Sequence, residues 1–435
     1  MGAGTRLAVE VWSPFPPQAS GVADYVSEQL QTLDRVLDLT LVAEKPEGVE
    51  VSIRERYRVV RPQSSNPETL RLYHVGNSPL HRFIYEEAVR TPGVVVLHEW
   101  NLHELLLGFA VTSNDFAAYR AQMRREHGER GSIGAETIAS ALGGKHWTSV
   151  FALNAEILER SLGVVSPAGS TAARVAGRRP DGLNLHLPHH AVLVSHARNR
   201  AEARARLGFS DDERIVLAPG LGTSAKALDI AREAIHSLAA QVPGINLVTV
   251  GGGASGGRIA GQRDLGRVDL QTLGDCLLAA DIVLALRFPS RGEASGVLMR
   301  ALAAGRAAVV SSGSTADEDL PQGVVARIHP GPAEARELTA ILRFLLLDDG
   351  ARERLERLAA DEGAKRPVRE LTEQLAGFLI TVAGERRSIE SRMAERAELK
   401  ARAPREFREE IDSVAASLGL AHLPPNVFEK LRGLL

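Results

Sequence analysis

The chain of 435 residues contains a single cysteine, Cys276, so no intramolecular disulfide can form. This cysteine usage favours a reducing compartment. Aromatic residues make up only 4% of the sequence, and the formal net charge is -2. Nucleic-acid-binding surfaces usually combine a basic field with aromatic platforms for bases. Because the sequence has neither, we expect no nucleic-acid partner.

Long hydrophobic runs are also missing. No stretch approaches the roughly 18 consecutive apolar residues that a membrane helix needs. Residues 1–21 lack the basic segment, apolar core and cleavage site of a secretion signal. We therefore predict a cytoplasmic protein whose contact with a membrane is at most peripheral.

Short apolar runs alternate with helical periodicity along most of the chain. The strands predicted in the first half are Leu7–Val11, Leu39–Val42, Arg71–Val75, Val94–His98 and Val164–Val165. Those predicted in the second half are Ile215–Ala218, Asn246–Val250, Ile282–Leu286, Ala307–Val310 and Val324–Ile328. Buried strands that alternate with helices indicate parallel, doubly wound sheets. The fold class is therefore α/β, with two Rossmann-like domains that meet near Pro188.

Three regions follow from this alternation. Residues 1–190 would form the first doubly wound domain, 191–383 the second, and 384–435 a helical C-terminal extension. The charge-rich run near the C-terminus is typical of a solvated helix face, and Pro404 is expected to break it. The last amphipathic helix would pack across the domains, form a homodimer or touch a membrane. Packing is the preferred interpretation.

The segment 281–311 carries the strongest chemical signal. Its pattern predicts a strand, a polar turn, a helix and a second strand, with Glu293, Ser295 and Gly296 at the helix start. Free N–H groups and the helix dipole favour an anion there. Glu293 and Arg300 are seven positions apart and would share one helix face, as far apart as a diphosphate and the sugar of a nucleotide. An ordinary crossover with a solvated Glu and Arg has the same pattern.

The sequence "GEASGVLMRALAAG" in this segment resembles a nucleotide-sugar signature. The signature belongs to retaining glycosyltransferases of the group 1 type (family 4), and its usual form is EGFGxPxxEAMAxG. A branch with "GETSG…RAL" is more similar still. Alignment puts Gly292 where the first Glu belongs, with Glu293 one place later. Arg300 stands where the second Glu, which usually binds the donor ribose, belongs.

Two blocks of the first half resemble the same family. "WSPFPPQASGVADYV" is similar to the opening loop SPxPPxxSGIADY, in which Gly21 would lie against the donor. "GNSPLHRFIY" and "PGVVVLHEWNLH" resemble the branch's GNNxxHxxIY…PGVVVLHDxxLH block. The resemblance implies that His98 lies near the reacting sugar, with Asn77 and Glu99 on the acceptor side. A stiff loop at Gly21 and a structural histidine at His98 remain the alternatives.

A fourth block, "RIVLAPGLGTSAKALDIA", resembles the phosphate element GRLxxxKG. Gly220 and Lys226 keep its spacing, so Lys226 would hold the donor diphosphate. Leu221 replaces the usual Arg, and Arg287 or Arg291 would supply the missing charge. A solvated lysine near a helix start is the alternative.

Other motifs carry less weight. Gly251, Gly253 and Gly256 satisfy GxGxxG, but no acidic residue ends a strand about 20 residues later, so a loop at the cleft rim is expected. Asp317 and Asp319 mimic a metal-binding DxD and are expected to cap a helix or turn. His98 and His103 are five apart, whereas a zinc-protease pair needs four. We predict no metal site.

Together the four motifs span about residues 6–380 and imply a GT-B fold, in which two domains face each other across a cleft. The N-terminal domain would bind the acceptor, and the C-terminal domain would bind the donor. The implied activity is metal-independent, retaining transfer of a sugar from a nucleotide-diphosphate co-substrate to an unknown acceptor, with no other cofactor. The implied catalytic residues are His98 and Glu293, and the implied donor residues are Gly21, Gly220, Lys226, Arg287, Gly292, Ser295, Gly296 and Arg300. The departures at Leu221, Gly292 and Arg300 leave open a non-catalytic nucleotide-sugar-binding protein, and the shared fold leaves open a nucleotide-sugar epimerase.

Overall fold

The computed structural model describes residues 6–140, 142, 147–220, 228–251 and 260–417, with side chains described up to residue 402. Within these ranges the chain forms two parallel β-sheets connected and covered by helices. The sheets occur one after the other along the sequence, as the two alternating patterns predict.

The first sheet has seven strands in the order β3-β2-β1-β4-β5-β6-β7, and all neighbours are parallel. The strands are β1 (Ala8–Trp12), β2 (Asp38–Val42), β3 (Arg58–Val60), β4 (Leu70–Val75), β5 (Val94–Leu97), β6 (Gly163–Ser166) and β7 (Leu183–His186). The helices of this half are α1 (Gly21–Val36), α2 (Val51–Arg56), α3 (Arg82–Arg90), α4 (His103–Ser113), α5 (Phe116–Ala139, kinked at Gly128), α6 (Ala155–Arg160) and α7 (Gly169–Arg178).

The second sheet has six parallel strands in the order β10-β9-β8-β11-β12-β13. The strands are β8 (Arg214–Pro219), β9 (Ile245–Val250), β10 (Gln262–Asp264), β11 (Ile282–Ala285), β12 (Ala307–Ser311) and β13 (Ala326–Ile328). The helices are α8 (Arg200–Leu207), α9 (Leu228–Leu238), α10 (Leu270–Ala279), α11 (Gly296–Ala303), α12 (Thr315–Asp319), α13 (Glu334–Leu347), α14 (Asp349–Ala364) and α15 (Val368–Ser417).

Both sheets have the strand order of a Rossmann fold. The order reverses between β1 and β4 in the first sheet and between β8 and β11 in the second. At such a switch point the following segments leave on opposite faces of the sheet, which opens a crevice at the carboxyl ends of the strands. The topology therefore places one ligand-binding crevice on each sheet.

The strands are buried because they are almost entirely apolar. Every residue of β5 (VVVL) is at most 1% exposed. Separate apolar clusters cover each face of both sheets, as expected for parallel sheets sandwiched between helices.

The long helix α15 returns to the first domain. Leu371, Leu375, Leu379 and Val382 belong to the same core cluster as Val9 of β1. The chain thus crosses from the second sheet back to the first. The expectation that Pro404 breaks the charged run is wrong, because the backbone is helical through residue 417. Proline's fixed φ is itself helical, and what the helix loses is one backbone hydrogen bond.

None of the helices in the described part of the chain combines the length and the apolar character that crossing a bilayer requires.

Candidate functional site

A cleft of about 1200 Å³ lies where the carboxyl ends of the two sheets face each other. The loops after β1, β4 and β5 line one half, and the loops after β8, β9 and β11 line the other. Nearly all predicted site residues that the structure describes line it, namely Gly21, Asn77, His98, Glu99, Gly220, Arg287, Glu293, Ser295, Gly296 and Arg300. Lys226 and Leu221 lie outside the described residues, as do Gly253 and Gly256.

Gly292 is the predicted donor residue that does not line the cleft. Its φ is +78°, and an added Cβ would lie 2.4 Å from the Trp100 Cβ and 2.7 Å from the Thr171 Oγ1. The first domain therefore fills the space that a side chain would need. A glutamate at this position, as in the signature that the segment resembles, would not fit without a shift of Trp100 or Thr171.

The start of α11 faces the cleft. Ser295 is the N-cap, and its hydroxyl accepts a hydrogen bond from the Leu298 amide at 3.3 Å. At Gly296 an added Cβ would lie 3.4 Å from Nε2 of His189, a residue of the segment that connects the two sheets. Ser295 and Gly296 both line the cleft, so the positive end of the helix faces it.

Glu293 lies in the turn before α11 and not on the helix. Its buried carboxylate accepts a hydrogen bond from the Arg291 amide at 2.6 Å and pairs with Nε of Arg287 at 2.8 Å. Because Ser295 caps the helix, the helical repeat begins after Glu293. The expectation that Glu293 and Arg300 share one helix face is therefore wrong.

Arg300 pairs instead with the first domain. Its Nη2 lies 2.6 Å from Oε1 of Glu28 and 4.0 Å from Oδ2 of Asp24, both on α1. The second carboxylate oxygen of Glu28 lies 2.6 Å from Nε2 of His190. Burial alone would raise the pKa of Glu28, but the contacts with His190 and Arg300 hold it below its ordinary value. Sequence reasoning missed Glu28 and His190, although Asp24 and Glu28 are spaced to share one face of α1.

His98 belongs to a buried group of aromatic rings. Its Nε2 lies 3.0 Å from Nδ1 of His74, and the ring of Tyr25 packs against it with centroids 5.0 Å apart. Burial and the neighbouring imidazoles hold the pKa of His98 well below its ordinary value. His98 is therefore neutral at neutral pH.

Glu99 and Asn77 lie beside His98 at the strand ends. The backbone amide of Asn77 donates a hydrogen bond to Oε1 of Glu99 at 3.3 Å. Oδ1 of Asn77 accepts from the Leu105 amide at 2.9 Å, and its buried Nδ2 has no partner. Burial raises the pKa of Glu99 to about 7, and the Glu293 carboxylate adds to this shift. Glu99 thus changes its charge near neutral pH.

Several contacts beside the cleft join the two domains. The guanidinium of Arg291 pairs with both carboxylate oxygens of Glu104, and its carbonyl accepts from the Asn101 amide at 2.9 Å. Thr171 donates its hydroxyl hydrogen to the Gly292 carbonyl, with an oxygen–oxygen distance of 2.6 Å. The loop between β11 and α11 is therefore held by residues of the first domain.

The two aspartates of the DxD-like motif act as caps. Asp319 accepts hydrogen bonds from the Gly169 and Ser170 amides, at 2.8 and 3.1 Å, and so caps α7 from the other domain. Asp317 pairs with Arg327 and accepts from the Gly313 amide. Within the described chain, no group of three or more His, Cys, Asp or Glu could hold a metal ion.

No protein-family model and no curated protein matches the sequence. Solved structures do match. The chain is similar to sucrose-phosphate synthase from Thermosynechococcus elongatus, with a TM-score of 0.58 and 14% identity over 87% of this chain and 100% of that chain. It is similar to HepE from Anabaena in complex with UDP-glucose, with a TM-score of 0.56 and 13% identity over 86% of this chain and 100% of that chain.

A third similar structure is WaaG, a glycosyltransferase involved in lipopolysaccharide biosynthesis, with a TM-score of 0.51 and 14% identity over 86% of this chain and 99% of that chain. At these identities the likeness shows the fold. The chain has the GT-B architecture, with two Rossmann-like parallel-sheet domains and a long C-terminal helix, as the sequence predicts.

Proposed function

We propose that the chain is a retaining glycosyltransferase that moves a sugar from a nucleotide-diphosphate sugar to an acceptor hydroxyl. One observation carries the proposal. The open start of α11, with the Arg287–Glu293 pair beside it, lies across a single cleft from His98 and Glu99. A helix N-terminus is a ready site for a diphosphate, and the opposite wall then receives the sugar and the acceptor.

The role that we propose for each group follows from its surroundings. The start of α11, Arg287 and Lys226 would neutralise the charge that develops on the leaving diphosphate, so we propose that no metal is required. His98, as a neutral imidazole, would hydrogen-bond the transferred sugar. Glu293 is held by the Arg291 amide and by Arg287 and would contact the sugar from the donor side.

The similar structures suggest which donor to try first. HepE was solved with UDP-glucose and with UDP, and sucrose-phosphate synthase and WaaG carry names that denote sugar transfer. The site residues and the domain limits at 190 and 383 remain our predictions for this chain.

The test is a turnover assay with UDP-, GDP- and ADP-hexoses and a mixture of simple acceptors. We expect release of one nucleoside diphosphate that persists in the presence of a chelator. The product should keep the anomeric configuration of the donor in proton NMR spectra. An inverted product would contradict the retaining mechanism, and loss of turnover on chelation with rescue by one metal would contradict metal independence.

A second candidate is a non-catalytic nucleotide-sugar-binding protein. The filled space at Gly292 and the pairing of Arg300 with Glu28 favour it, because both replace positions of the family's donor signature with contacts between domains. Tight binding of a nucleotide sugar without turnover or hydrolysis for any donor would support this candidate over the transferase.

A further inference from the structure

The two halves of the cleft carry opposite charges. Among the described residues that line the N-terminal half, none is a lysine or an arginine, and four are acidic: Asp24, Glu50, Glu99 and Glu104. The C-terminal half presents four arginines, Arg267, Arg287, Arg291 and Arg300, and three acidic residues, Asp264, Asp269 and Glu293. Positive charge in the cleft therefore comes from the donor side of the described chain.

The histidines do not change this balance. His81, His98 and His189 line the N-terminal half. Burial lowers the pKa of His81 to about 4 and that of His189 to about 3, and it holds the pKa of His98 well below its ordinary value. All three rings are neutral at pH 7, so they add no positive charge to the acceptor side.

Two of the four carboxylates, Glu50 and Glu99, have no ion pair with a described residue. Glu104 is neutralised by Arg291. Glu99 accepts a hydrogen bond from the backbone amide of Asn77, and Glu50 accepts one from the Ser52 hydroxyl at 2.7 Å. Asp24 lies 4.0 Å from Arg300, whose closer partner is Glu28. The acceptor side thus has carboxylates without a cation, and a cationic ligand would favour the ionised form of Glu99, whose pKa is about 7.

Asn77 provides a separate indication of a ligand on this wall. The residue lines the cleft and is only 6% exposed, and its Nδ2 has no partner. The hydrogen bond from the Leu105 amide to Oδ1 fixes which end of the side-chain amide is the donor. A buried donor without a partner is costly, so an oxygen of the ligand, such as a hydroxyl, is the group that fits here.

We propose that the acceptor is a polyhydroxylated molecule that carries an amino group and no phosphate or carboxylate. The inference rests on the proposed glycosyltransferase function. An ammonium group would be attracted by Glu50, by ionised Glu99 and by Asp24, whereas a phosphate on the acceptor would face these like charges. Hydroxyls would satisfy Asn77. The wall thus selects the acceptor by its charge as well as by its hydrogen bonds.

The first experiment measures the charge of this wall without any turnover. Ser78 lines the cleft, and its side chain makes no capping hydrogen bond to the short 3₁₀ turn Pro79–His81 that follows it. Ser78→Cys therefore places a thiol on the acceptor side. Its labelling rates with a cationic and an anionic methanethiosulfonate are compared with those of Ser237→Cys, an exposed position on α9. The native Cys276 is buried with its pKa raised to about 12 and will not interfere.

We expect the cationic reagent to be favoured at Ser78→Cys by about tenfold relative to Ser237→Cys, because each nearby carboxylate acts oppositely on the two reagents. Adding Glu99→Gln and Asp24→Asn should remove most of this preference. Equal rates, or faster labelling by the anionic reagent, would overturn the proposal. A lack of glycosyltransferase activity would leave this measurement unaffected.

The second experiment compares glucosamine, glucose and glucose 6-phosphate, which share a ring and differ in charge. Binding is measured by calorimetry with UDP present, and titration of UDP alone checks the donor half independently. We expect glucosamine to bind about tenfold more tightly than glucose, with glucose 6-phosphate weakest, and Glu99→Gln to remove the advantage of glucosamine. Equal binding of glucosamine and glucose, or a preference for the phosphate, would refute the acceptor class.

Discussion

The guanidinium of Arg300 lies between two carboxylates of α1 and joins the donor helix to the opposite domain. Arg300 and Glu28 are both at least nine-tenths buried, and His190 holds the second oxygen of Glu28. Removing one member of a buried ion pair leaves an unpaired charge, which is far more costly than losing an exposed pair. Arg300 thus pairs across the cleft at the position where the signature that the segment resembles has a carboxylate.

Arg300→Glu should therefore destabilise the protein. We expect the free energy of unfolding at pH 7 to fall by about 3 kcal/mol or more, because a new carboxylate would face Glu28 and Asp24. Denaturant titration measures the change. The reversed pair, Glu28→Arg with Arg300→Glu, is the control and should recover part of the loss. A change within about 0.5 kcal/mol for Arg300→Glu would mean that the residue behaves as a surface group.

Glu99 gives a prediction about pH. Its pKa is raised from 4.5 to about 7, mainly by burial and then by Glu293. Between these values the folded state retains a proton that the unfolded state releases, so this group makes the protein less stable as pH rises from 4.5 to 7. The lowered pKa values of the buried histidines act in the opposite direction below pH 6.5, so the wild-type profile alone does not isolate Glu99.

The comparison with Glu99→Gln does isolate it. The variant should gain stability relative to the wild type as pH rises from 4.5 to 7, by about 2–3 kcal/mol over the range. Unfolding free energies measured at several pH values test this. A constant difference across the range would show that the pKa of Glu99 is not raised.

At the scale of the elements, the sequence predicts the strands well where they are apolar and buried. The strands β1, β2, β4, β5 and β6 of the first sheet, and β8, β9, β11, β12 and β13 of the second, lie within two residues of their predicted positions. The missed strands β3, β7 and β10 are short and only half buried, so they lack the apolar run on which such a prediction depends.

The residues of the site likewise divide into those that a local sequence pattern predicts and those that it does not. His98 was predictable because it follows a buried parallel strand, and the carboxyl ends of such strands meet at one edge of a sheet. Glu99 and Asn77 were predicted from the resemblance of their blocks. The Arg300–Glu28 and Arg291–Glu104 pairs depend on how the two domains face each other. No local pattern of residues encodes that arrangement, so the sequence leaves these partners open.

The helix α7 offers a test of a contact between elements of different domains. Asp319→Ala removes the carboxylate that caps α7 from the second domain and should lower the free energy of unfolding by about 1 kcal/mol. Glu318→Ala is the matched control, because Glu318 lies on the same short helix and is exposed. Equal effects of the two substitutions in thermal or denaturant unfolding would contradict the capping role.

At the scale of the whole molecule, the two domains are joined by contacts on the loop between β11 and α11. Gly292 lies at their centre, packed against Trp100 and Thr171. The α15 helix joins the domains a second time, because it leaves the second sheet and packs in the core of the first. The relative position of the domains is thus fixed by specific side-chain contacts as well as by the connecting segment.

Gly292→Ala should weaken the contacts between the two domains. Its matched control is Gly313→Ala, where φ is also positive, at +71°, but an added Cβ has nothing within 4 Å. Both variants carry a backbone strain of about 1–2 kcal/mol, and Gly292→Ala should lose a further ~1–3 kcal/mol from overpacking against Trp100. It should also increase the radius of gyration in solution scattering. Equal stability losses and equal radii for the two variants would contradict the role of Gly292 between the domains.

The central claim is that the cleft binds a nucleotide through its diphosphate at the start of α11. Isothermal titration of UDP, GDP and ADP, each compared with its nucleoside, tests it most directly. Charge-assisted hydrogen bonds contribute about 1.5–3 kcal/mol each, so we expect at least one diphosphate to bind ~100-fold more tightly than its nucleoside. Arg287→Ala should reduce that ratio. Equal affinities of each diphosphate and its nucleoside, unchanged by Arg287→Ala, would contradict the account.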